Sequence, residues 1–258
     1  MFELTNKTAI ITGGGSGIGK SIAKVLAAQG AVSCILDVDE KNGNTVVSEI
    51  LDSGGQAQSY QCDISDQQLV RSTIDNIQNQ FGDISILVNN AGISHIGQAH
   101  NTTEEDFDRV YQINVKGAYN CLHTIIPYMK LNGGGSIVNL SSVLSEVGVS
   151  DRFAYTMSKG AIQSMTYSVA KDYIRDGIRC NAISPGRVHT PFVDGYLERN
   201  YPGQEKEMFE KLSKTQPIGR MGHPDEIAKL VLYLCSEEAS FITGAAFPID
   251  GGFKTLNS

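Results

Sequence analysis

Tyr155 and Lys159 are the two residues of this sequence whose types and spacing point most directly to chemistry. Residues four apart lie on one face of a helix, so the lysine ammonium would lie near the tyrosine phenol. Such a charge favours the phenolate and would lower the pKa of the tyrosine from about 10 towards the working range of an acid or base catalyst. Ser142 follows a short strand pattern and would face the same crevice. The tyrosine and lysine alone are a weak signal, because such pairs are also frequent on solvent-exposed helices.

The segment GGGSGIGKS, residues 13–21, fits two different nucleotide-binding patterns. Gly14, Gly19, Lys20 and Ser21 match the P-loop, which holds the phosphates of ATP or GTP. The same segment is also a glycine-rich turn between a strand and a helix, of the kind that holds a dinucleotide pyrophosphate at the helix N-terminus. The usual G-x-G-x-x-G spacing is absent, so these nine residues leave both possibilities open.

Two later segments bear on that choice. Asp37 ends the next strand pattern, at the roughly 20-residue distance expected of the acid that binds the adenosine ribose. It could equally be a magnesium-binding aspartate at the end of a Walker-B-like strand. The segment ILVNNAGIS ends a further strand in Asn89–Gly92, where asparagine side chains can satisfy backbone groups and small residues leave room for a flat ligand.

Short apolar β-type runs alternate with amphipathic helical patterns along the whole chain, which predicts a parallel sheet covered by helices on both faces. We therefore expect one doubly wound α/β domain of the Rossmann type over residues 1–258, with about seven parallel strands. A polar insertion at about 191–222 is expected to be a lid over a site. The predicted strands are Thr8–Thr12, Val32–Leu36, Ala57–Cys62, Ile84–Val88, Ser136–Leu140, Arg179–Ile183 and Ala246–Ile249. The predicted helices are Ile18–Gln29, Lys41–Ser53, Gln67–Phe81, Glu104–Tyr119, Ala154–Asp176 and Asp225–Ser236.

Composition narrows the classes of partner. The 258 residues carry a net charge of −7 with no offsetting basic cluster, which argues against nucleic acid or an anionic membrane as a partner. No run of residues has the length and apolar character of a membrane span or signal peptide. The five cysteines are scattered without a C-x-x-C, so we expect reduced thiols, no metal site and a cytoplasmic location.

Together the motifs resemble those of the short-chain dehydrogenase/reductase family, over nearly the whole chain. The family's glycine motif T-G-x-x-x-G-x-G accounts for the unusual spacing in the turn, and the P-loop match is then coincidental. In chain order, the residues that match the family's motifs are Thr12, Gly13, Gly17, Gly19, Asn89–Gly92, Asn114, Ser142, Tyr155, Lys159, Pro185-Gly186, Thr190-Pro191, Ile242-Thr243-Gly244 and Asp250-Gly251-Gly252.

The resemblance implies an NAD-dependent oxidoreductase with four catalytic residues. Tyr155 would be the general acid or base, and Ser142 would hydrogen-bond the reacting oxygen. Lys159 would hold the nicotinamide ribose, and Asn114 would anchor a water in the proton relay. The implied cofactor contacts are Gly13, Ser16, Gly17, Ile18, Gly19, Asp37, Asp63, Ile64, Asn90, Ala91, Gly92, Tyr155, Lys159, Pro185, Gly186, Val188 and Thr190.

Asp37 is expected to select NAD over NADP, because a carboxylate accepts hydrogen bonds from both ribose hydroxyls and repels a 2′-phosphate. Its neighbours Ser16 and Val38 supply no basic group for that phosphate. The family resemblance also implies a homotetramer that packs through the tyrosine-bearing helix and the C-terminal strand.

The substrate is expected to be a small polar molecule bound by three loops at the carboxyl edge of the sheet. The expected substrate contacts are Ser142, His95, Leu144, Arg152, Tyr155 and Arg187. Arg152 could bind a carboxylate bidentately. The chain looks similar to the family's 2-keto-3-deoxy-fuconate and other sugar-acid dehydrogenases, which favours a sugar or sugar acid. They tend to have threonine where this chain has Arg187, so the exact substrate stays open.

Three alternatives remain at this stage. The first is a 3-ketoacyl-carrier-protein reductase, although such enzymes usually prefer NADPH and present a basic patch to their acidic carrier. The second is a P-loop NTPase using residues 14–21, and the third is a catalytically silent NAD-binding sensor.

Overall fold

Seven parallel strands form one sheet in the computed structural model, which describes residues 1–256. The strands lie in the order β3-β2-β1-β4-β5-β6-β7, and all six neighbouring pairs are parallel. The prediction of a doubly wound parallel α/β domain is confirmed. The strands are β1 Thr8–Thr12, β2 Val32–Asp37, β3 Gln56–Gln61, β4 Ile84–Asn89, β5 Gly135–Leu140, β6 Ile178–Pro185 and β7 Ala246–Ile249.

Helices cover both faces of the sheet because successive strand residues point to opposite sides. In β1, Ala9 and Ile11 pack into the core layer that also contains α1, α2 and α9, whereas Ile10 packs into the layer of α3, α5 and α6. The helices are α1 Gly17–Ala28, α2 Glu40–Asp52, α3 Gln67–Phe81, α4 Glu104–Val110, α5 Gly117–Leu131, α6 Phe153–Tyr173, α7 Pro191–Asn200, α8 Glu205–Ser213, α9 Pro224–Cys235 and α10 Phe253–Leu256.

The strand order reverses between β1 and β4, and this reversal opens the crevice in which the site lies. Chain connections leave β1 and β4 in opposite directions, so the loops at their carboxyl ends diverge and leave room for a ligand. The turn at Gly13 follows β1, and Asn90 follows β4. Ser141 and Gly186 follow β5 and β6 on the same edge.

The predicted helix Glu104–Tyr119 is helical throughout, but it contains a π turn that the sequence did not predict and it ends later than predicted. The chain instead forms α4, a π-helical segment at Tyr111–Lys116 and then α5, which continues to Leu131. The continuation is amphipathic and packs Cys121, Leu122 and Ile125 into the core, so burial extends the helix beyond the predicted boundary. The π turn contains Asn114, and such turns are frequent at functional sites.

Other departures are small. β6 runs on to Pro185, two residues beyond its predicted end, and β3 is a polar edge strand that begins at Gln56 and ends at Gln61. The insertion at 191–222 folds into α7 and α8. Proline at the first position of α7 needs no hydrogen-bond partner and so favours a helix start directly after Thr190. Within residues 1–256, no helix is long and apolar enough to cross a membrane.

Candidate active site

A cavity of about 870 Å³ follows the carboxyl ends of the strands and brings most of the predicted site residues together. That volume is typical of a small-molecule or cofactor site. Of the predicted catalytic, cofactor and substrate residues, Gly19 and Asn114 do not line it. The predicted residues that do are Gly13, Ser16, Gly17, Ile18, Asp37, Asp63, Ile64, Asn90, Ala91, Gly92, His95, Ser142, Leu144, Arg152, Tyr155, Lys159, Pro185, Gly186, Arg187, Val188 and Thr190.

The glycine turn is shaped by close backbone packing. Gly13 has a φ of 63°, a left-handed conformation that side chains rarely adopt. A Cβ on Gly19 would lie 2.1 Å from the Gly13 carbonyl oxygen and 2.6 Å from Asn90 Nδ2. Gly19 therefore lets α1 approach the turn, which explains its role without contact with the cavity. The α1 N-terminus then faces the cavity with unpaired N–H groups, a favourable setting for a pyrophosphate.

Asn90 and Thr12 fasten the turn to β4. The Asn90 side-chain amide donates to the carbonyls of Thr12 and Gly13 at 2.9 and 3.1 Å. The Thr12 hydroxyl oxygen accepts from the backbone N–H groups of Asn90 and Ala91, each at 3.0 Å. The expectation that asparagine satisfies backbone groups at this strand end is confirmed.

Lys20 and Ser21, the residues that suggested a P-loop, do not line the cavity. Lys20 Nζ donates to Glu49 Oε1 on α2 at 2.7 Å. The Ser21 hydroxyl donates to Asp225 Oδ1 on α9 at 2.6 Å. A P-loop lysine must reach the nucleotide phosphates, so the P-loop interpretation is wrong for this turn.

Asp37 lies at one end of the cavity, where its carboxylate is already oriented by the backbone. Its Oδ2 accepts from the Gly15 N–H at 2.8 Å, and its Oδ1 accepts from the Asp39 N–H at 3.0 Å. A carboxylate has about four lone-pair directions, so two remain for ligand hydroxyls. Asp63 and the exposed Val38 line the same end, which we call the Asp37 end of the cavity.

Lys159 and Tyr155 lie beside β5 as the motif predicts, but their electrostatics differ from the expectation. Lys159 is buried, its Nζ donates to the Leu140 carbonyl at 2.7 Å, and it lies 5.7 Å from the centre of the Tyr155 ring. Burial lowers the pKa of Lys159 to about 8. Burial also raises the pKa of Tyr155, against a hydrogen bond from Ser142 and the charge of Arg152, which both lower it. The expected lowering of the Tyr155 pKa by Lys159 is therefore wrong for the protein without a ligand.

Asn114 does not line the cavity but hydrogen-bonds the loop that follows β4. Its side-chain amide donates to the Ile93 carbonyl and the Ser158 hydroxyl, both at 2.9 Å, and its Oδ1 accepts from the Ile93 N–H at 2.8 Å. A Cβ on Gly92 would lie 3.1 Å from Asn114 Oδ1 and 3.5 Å from Lys159 Nζ. The Asn114 side chain thus fixes the loop after β4 directly against the lysine.

Arg152, Arg187 and Arg199 line the other end of the cavity, which we call the arginine end. This end also contains residues that sequence reasoning missed. Tyr196, Arg199 and Asn200 of α7 line it, as do Gln216 and Phe253. Their only sequence signal was membership of the predicted lid or the C-terminal segment. His95 also lines the cavity. The distance from its Nδ1 to Asp106 Oδ1 is 3.7 Å.

Comparisons with known proteins agree with this geometry. A family model described as enoyl-(acyl carrier protein) reductase matches residues 13–254. An uncharacterised oxidoreductase of Bacillus subtilis, YxbG, is 39% identical over 257 residues, covering 98% of this chain and 92% of the relative. The 3-oxoacyl-[acyl-carrier-protein] reductase FabG of Thermotoga maritima is 35% identical over 250 residues, covering 97% and 98%.

Solved structures are similar over nearly their whole length. Levodione reductase superposes with a TM-score of 0.95 at 31% identity, covering 99% of this chain and 100% of that one. The L-sorbose reductase of Gluconobacter frateurii, complexed with NADPH and L-sorbose, has a TM-score of 0.94 at 26% identity, covering 99% of both chains. With the glycine turn, the strand-end asparagines and the serine, tyrosine and lysine in one cavity, the chain belongs to the short-chain dehydrogenase/reductase family of oxidoreductases.

Proposed function

We propose that this protein is an NAD(H)-dependent dehydrogenase that interconverts a secondary alcohol and a ketone on a small polar substrate, a sugar or sugar acid. The observation that carries the proposal is one cavity with Asp37 at one end and Ser142, Tyr155 and Lys159 further along it. A ligand that filled it would bring its ribose hydroxyls to the aspartate and its reactive group to the tyrosine.

The residues present fit a nicotinamide dinucleotide. The α1 N-terminus and the glycine turn at Gly13 provide backbone N–H groups for the pyrophosphate. Asp37 offers a carboxylate to the adenosine ribose, and Lys159 offers an ammonium to the nicotinamide ribose. When bound, a nicotinamide accepts a hydride from the substrate carbon or returns one to it.

The chain's own residues then move the proton. In oxidation the Tyr155 phenolate takes the proton of the substrate hydroxyl and becomes a phenol, and in reduction the phenol returns that proton to the substrate oxygen. The Ser142 hydroxyl lines the same cavity as Tyr155 and orients the reacting oxygen. A protonated Lys159 beside the ring stabilises the phenolate, and Asn114 keeps the loop at Gly92 against that lysine. Their contribution is orientation and charge placement.

The preference for NAD over NADP follows from the charges at the Asp37 end. Its acidic lining residues are Asp37 and Asp63, and no lysine or arginine lines it among the residues that the structure describes. An added 2′-phosphate would meet a carboxylate with no cation to offset the repulsion. One neighbour, L-sorbose reductase, was solved with NADPH, so the fold itself does not fix the choice.

The polar arginine end favours a sugar or sugar acid, and the L-sorbose reductase likeness adds support. The alternative is reduction of a 3-ketoacyl group on a carrier protein, favoured by the 35% identical Thermotoga maritima relative. A screen of sugars, sugar acids and a 3-ketoacyl thioester, each with NAD(H) and NADP(H) and followed by NADH or NADPH absorbance, separates the two.

Replacing Asp37 by arginine is expected to shift the ratio of the NADH and NADPH dissociation constants at least about tenfold towards NADPH, because a repulsive charge becomes an attractive one. Fluorescence titration of both cofactors measures the ratio. Asp52→Arg on the exposed end of α2 makes the same charge change away from the cavity and is the control. An unchanged ratio in Asp37→Arg would contradict the assignment.

Replacing Tyr155 by phenylalanine is expected to lower kcat at least about 100-fold, because the proton acceptor is lost while the ring remains. The measurement uses the best substrate of the screen, with NADH binding as a check that the site is intact. Tyr167→Phe removes the same hydroxyl from an exposed position on the same helix and should keep full activity. Turnover near the normal rate in Tyr155→Phe rules out the mechanism.

Replacing Lys159 by methionine is expected to abolish turnover and yet raise the thermal midpoint of the ligand-free protein at pH 7. A pKa lowered from 10.5 to about 8 costs the folded state on the order of 3 kcal/mol below pH 8. This outweighs the lost hydrogen bond to Leu140. As pH rises from 8 to 10.5 the unfolded chain also loses its proton, so the advantage of the variant should shrink.

Calorimetric scans at pH 7 and pH 10 measure this difference. Lys171→Met, at an exposed position of the same helix, is the control and should show neither effect. A lower midpoint for Lys159→Met at pH 7, or a difference independent of pH, would show that the buried ammonium does not destabilise the fold.

A further inference from the structure

The arginine end of the cavity is cationic. Arg152, Arg187 and Arg199 line the cavity, while its only acidic lining residues among positions 1–256, Asp37 and Asp63, belong to the Asp37 end. Arg199 is exposed at the rim, whereas Arg152 and Arg187 are partly buried. Two inner arginines in a protein of net charge −7 need a specific explanation.

Neither inner arginine has an acidic partner. Arg152 Nη1 donates to the carbonyl of Asp151 at 2.9 Å, and Arg187 Nε donates to the Thr215 hydroxyl at 3.1 Å. Arg152 and Arg187 form no salt bridge within 4.0 Å to any carboxylate of residues 1–256, although Arg220 on the surface does. Partly buried charges without a counter-charge are costly, and the guanidinium groups keep free donors.

The two arginines are close enough to repel each other. Burial lowers the pKa of the Arg187 guanidinium, and the positive charge of Arg152 lowers it further. An anion placed between them would remove this repulsion and accept hydrogen bonds from both planar groups. The arrangement is therefore complementary to a negative ligand.

This pair also reaches both the reacting group and the lid. Arg152 lines the same cavity as Tyr155, and its charge acts to lower the pKa of the phenol. Tyr196 of α7 lines the same cavity as both arginines, and the charge of Arg152 acts to lower the pKa of its phenol. A ligand held by the arginines would thus lie in the cavity that Tyr155 and Tyr196 of α7 also line.

We propose that Arg152 and Arg187 form a substrate subsite for an anionic group, a carboxylate or a phosphate, and that Tyr196 of the lid is a positioning residue for Arg152. This proposal rests on the proposed function, because the anionic group belongs to the same substrate molecule whose hydroxyl Tyr155 deprotonates. The substrate is accordingly either a hydroxy or oxo acid, which carries a carboxylate, or a phosphorylated sugar, which carries a phosphate.

Calorimetric titration of paired probes tests the subsite. D-Gluconate is compared with sorbitol, and D-glucose 6-phosphate with D-glucose, at constant ionic strength, with and without saturating NADH. We expect at least one anion to bind at least about tenfold more tightly than its neutral partner, as charge-assisted hydrogen bonds of 1.5–3 kcal/mol imply. The pair that shows the difference identifies the carboxylate or the phosphate as the recognised group.

Variants assign the effect to the two arginines. Arg152→Gln and Arg187→Gln should each weaken the anion about tenfold or more and leave the neutral probe unchanged, and the matching lysine variants should recover part of the loss. Tyr196→Phe should weaken the anion by a smaller factor. Arg175→Gln, at an exposed position after α6, is the control. Unchanged NADH binding shows that each variant folds.

Two results would overturn the subsite: anions that bind no better than their neutral partners, or tight anion binding that survives both glutamine variants. Failure of the wild-type protein to bind NADH or NADPH would contradict the proposed function instead. The titrations without cofactor then still decide whether the arginine pair binds an anion.

Discussion

The site depends on a lysine ammonium held without a counter-charge between β5 and α6. Lys159 is buried, its Nζ is fixed by the Leu140 carbonyl, and burial lowers its pKa to about 8. A buried charge in this position is destabilising, so the surrounding structure must hold it in place. The long helix α6 supplies the lysine, and Asn114 in the π turn fastens the loop that closes over it.

Charged side chains that the structure holds in fixed positions also line the two ends of the cavity. The Asp37 end has a carboxylate oriented by the Gly15 N–H, and the arginine end has two guanidinium groups that pair with no carboxylate of residues 1–256. The two ends of the cavity thus carry charges of opposite sign. The parallel sheet brings the two ends together, because the carboxyl ends of β1, β2, β4, β5 and β6 meet at one edge.

Sequence predicted the parts of this arrangement that depend on local pattern. The strand-to-helix turn at Gly13, the asparagines after β4 and the i, i+4 pair of Tyr155 and Lys159 are short-range features, and the structure places them as expected. The end of α5 and the π turn depend on burial against distant elements, which a short window does not contain. Tyr196 was missed for the same reason, since it lines one cavity with Arg152 although the two are 44 positions apart in the sequence.

The pKa of Tyr155 shows most clearly where sequence reasoning stops. The motif places a cation near the phenol, and that charge by itself would lower the tyrosine pKa. The fold also buries both groups, and burial opposes both charged forms, so the ligand-free protein holds the phenol neutral and the lysine only weakly basic. The direction of a pKa shift follows from the balance between nearby charges and desolvation by burial. Of these two effects, only burial depends on the packing of the whole chain. The motif therefore identifies the two residues, while the surrounding packing decides the direction in which the pKa of each one shifts.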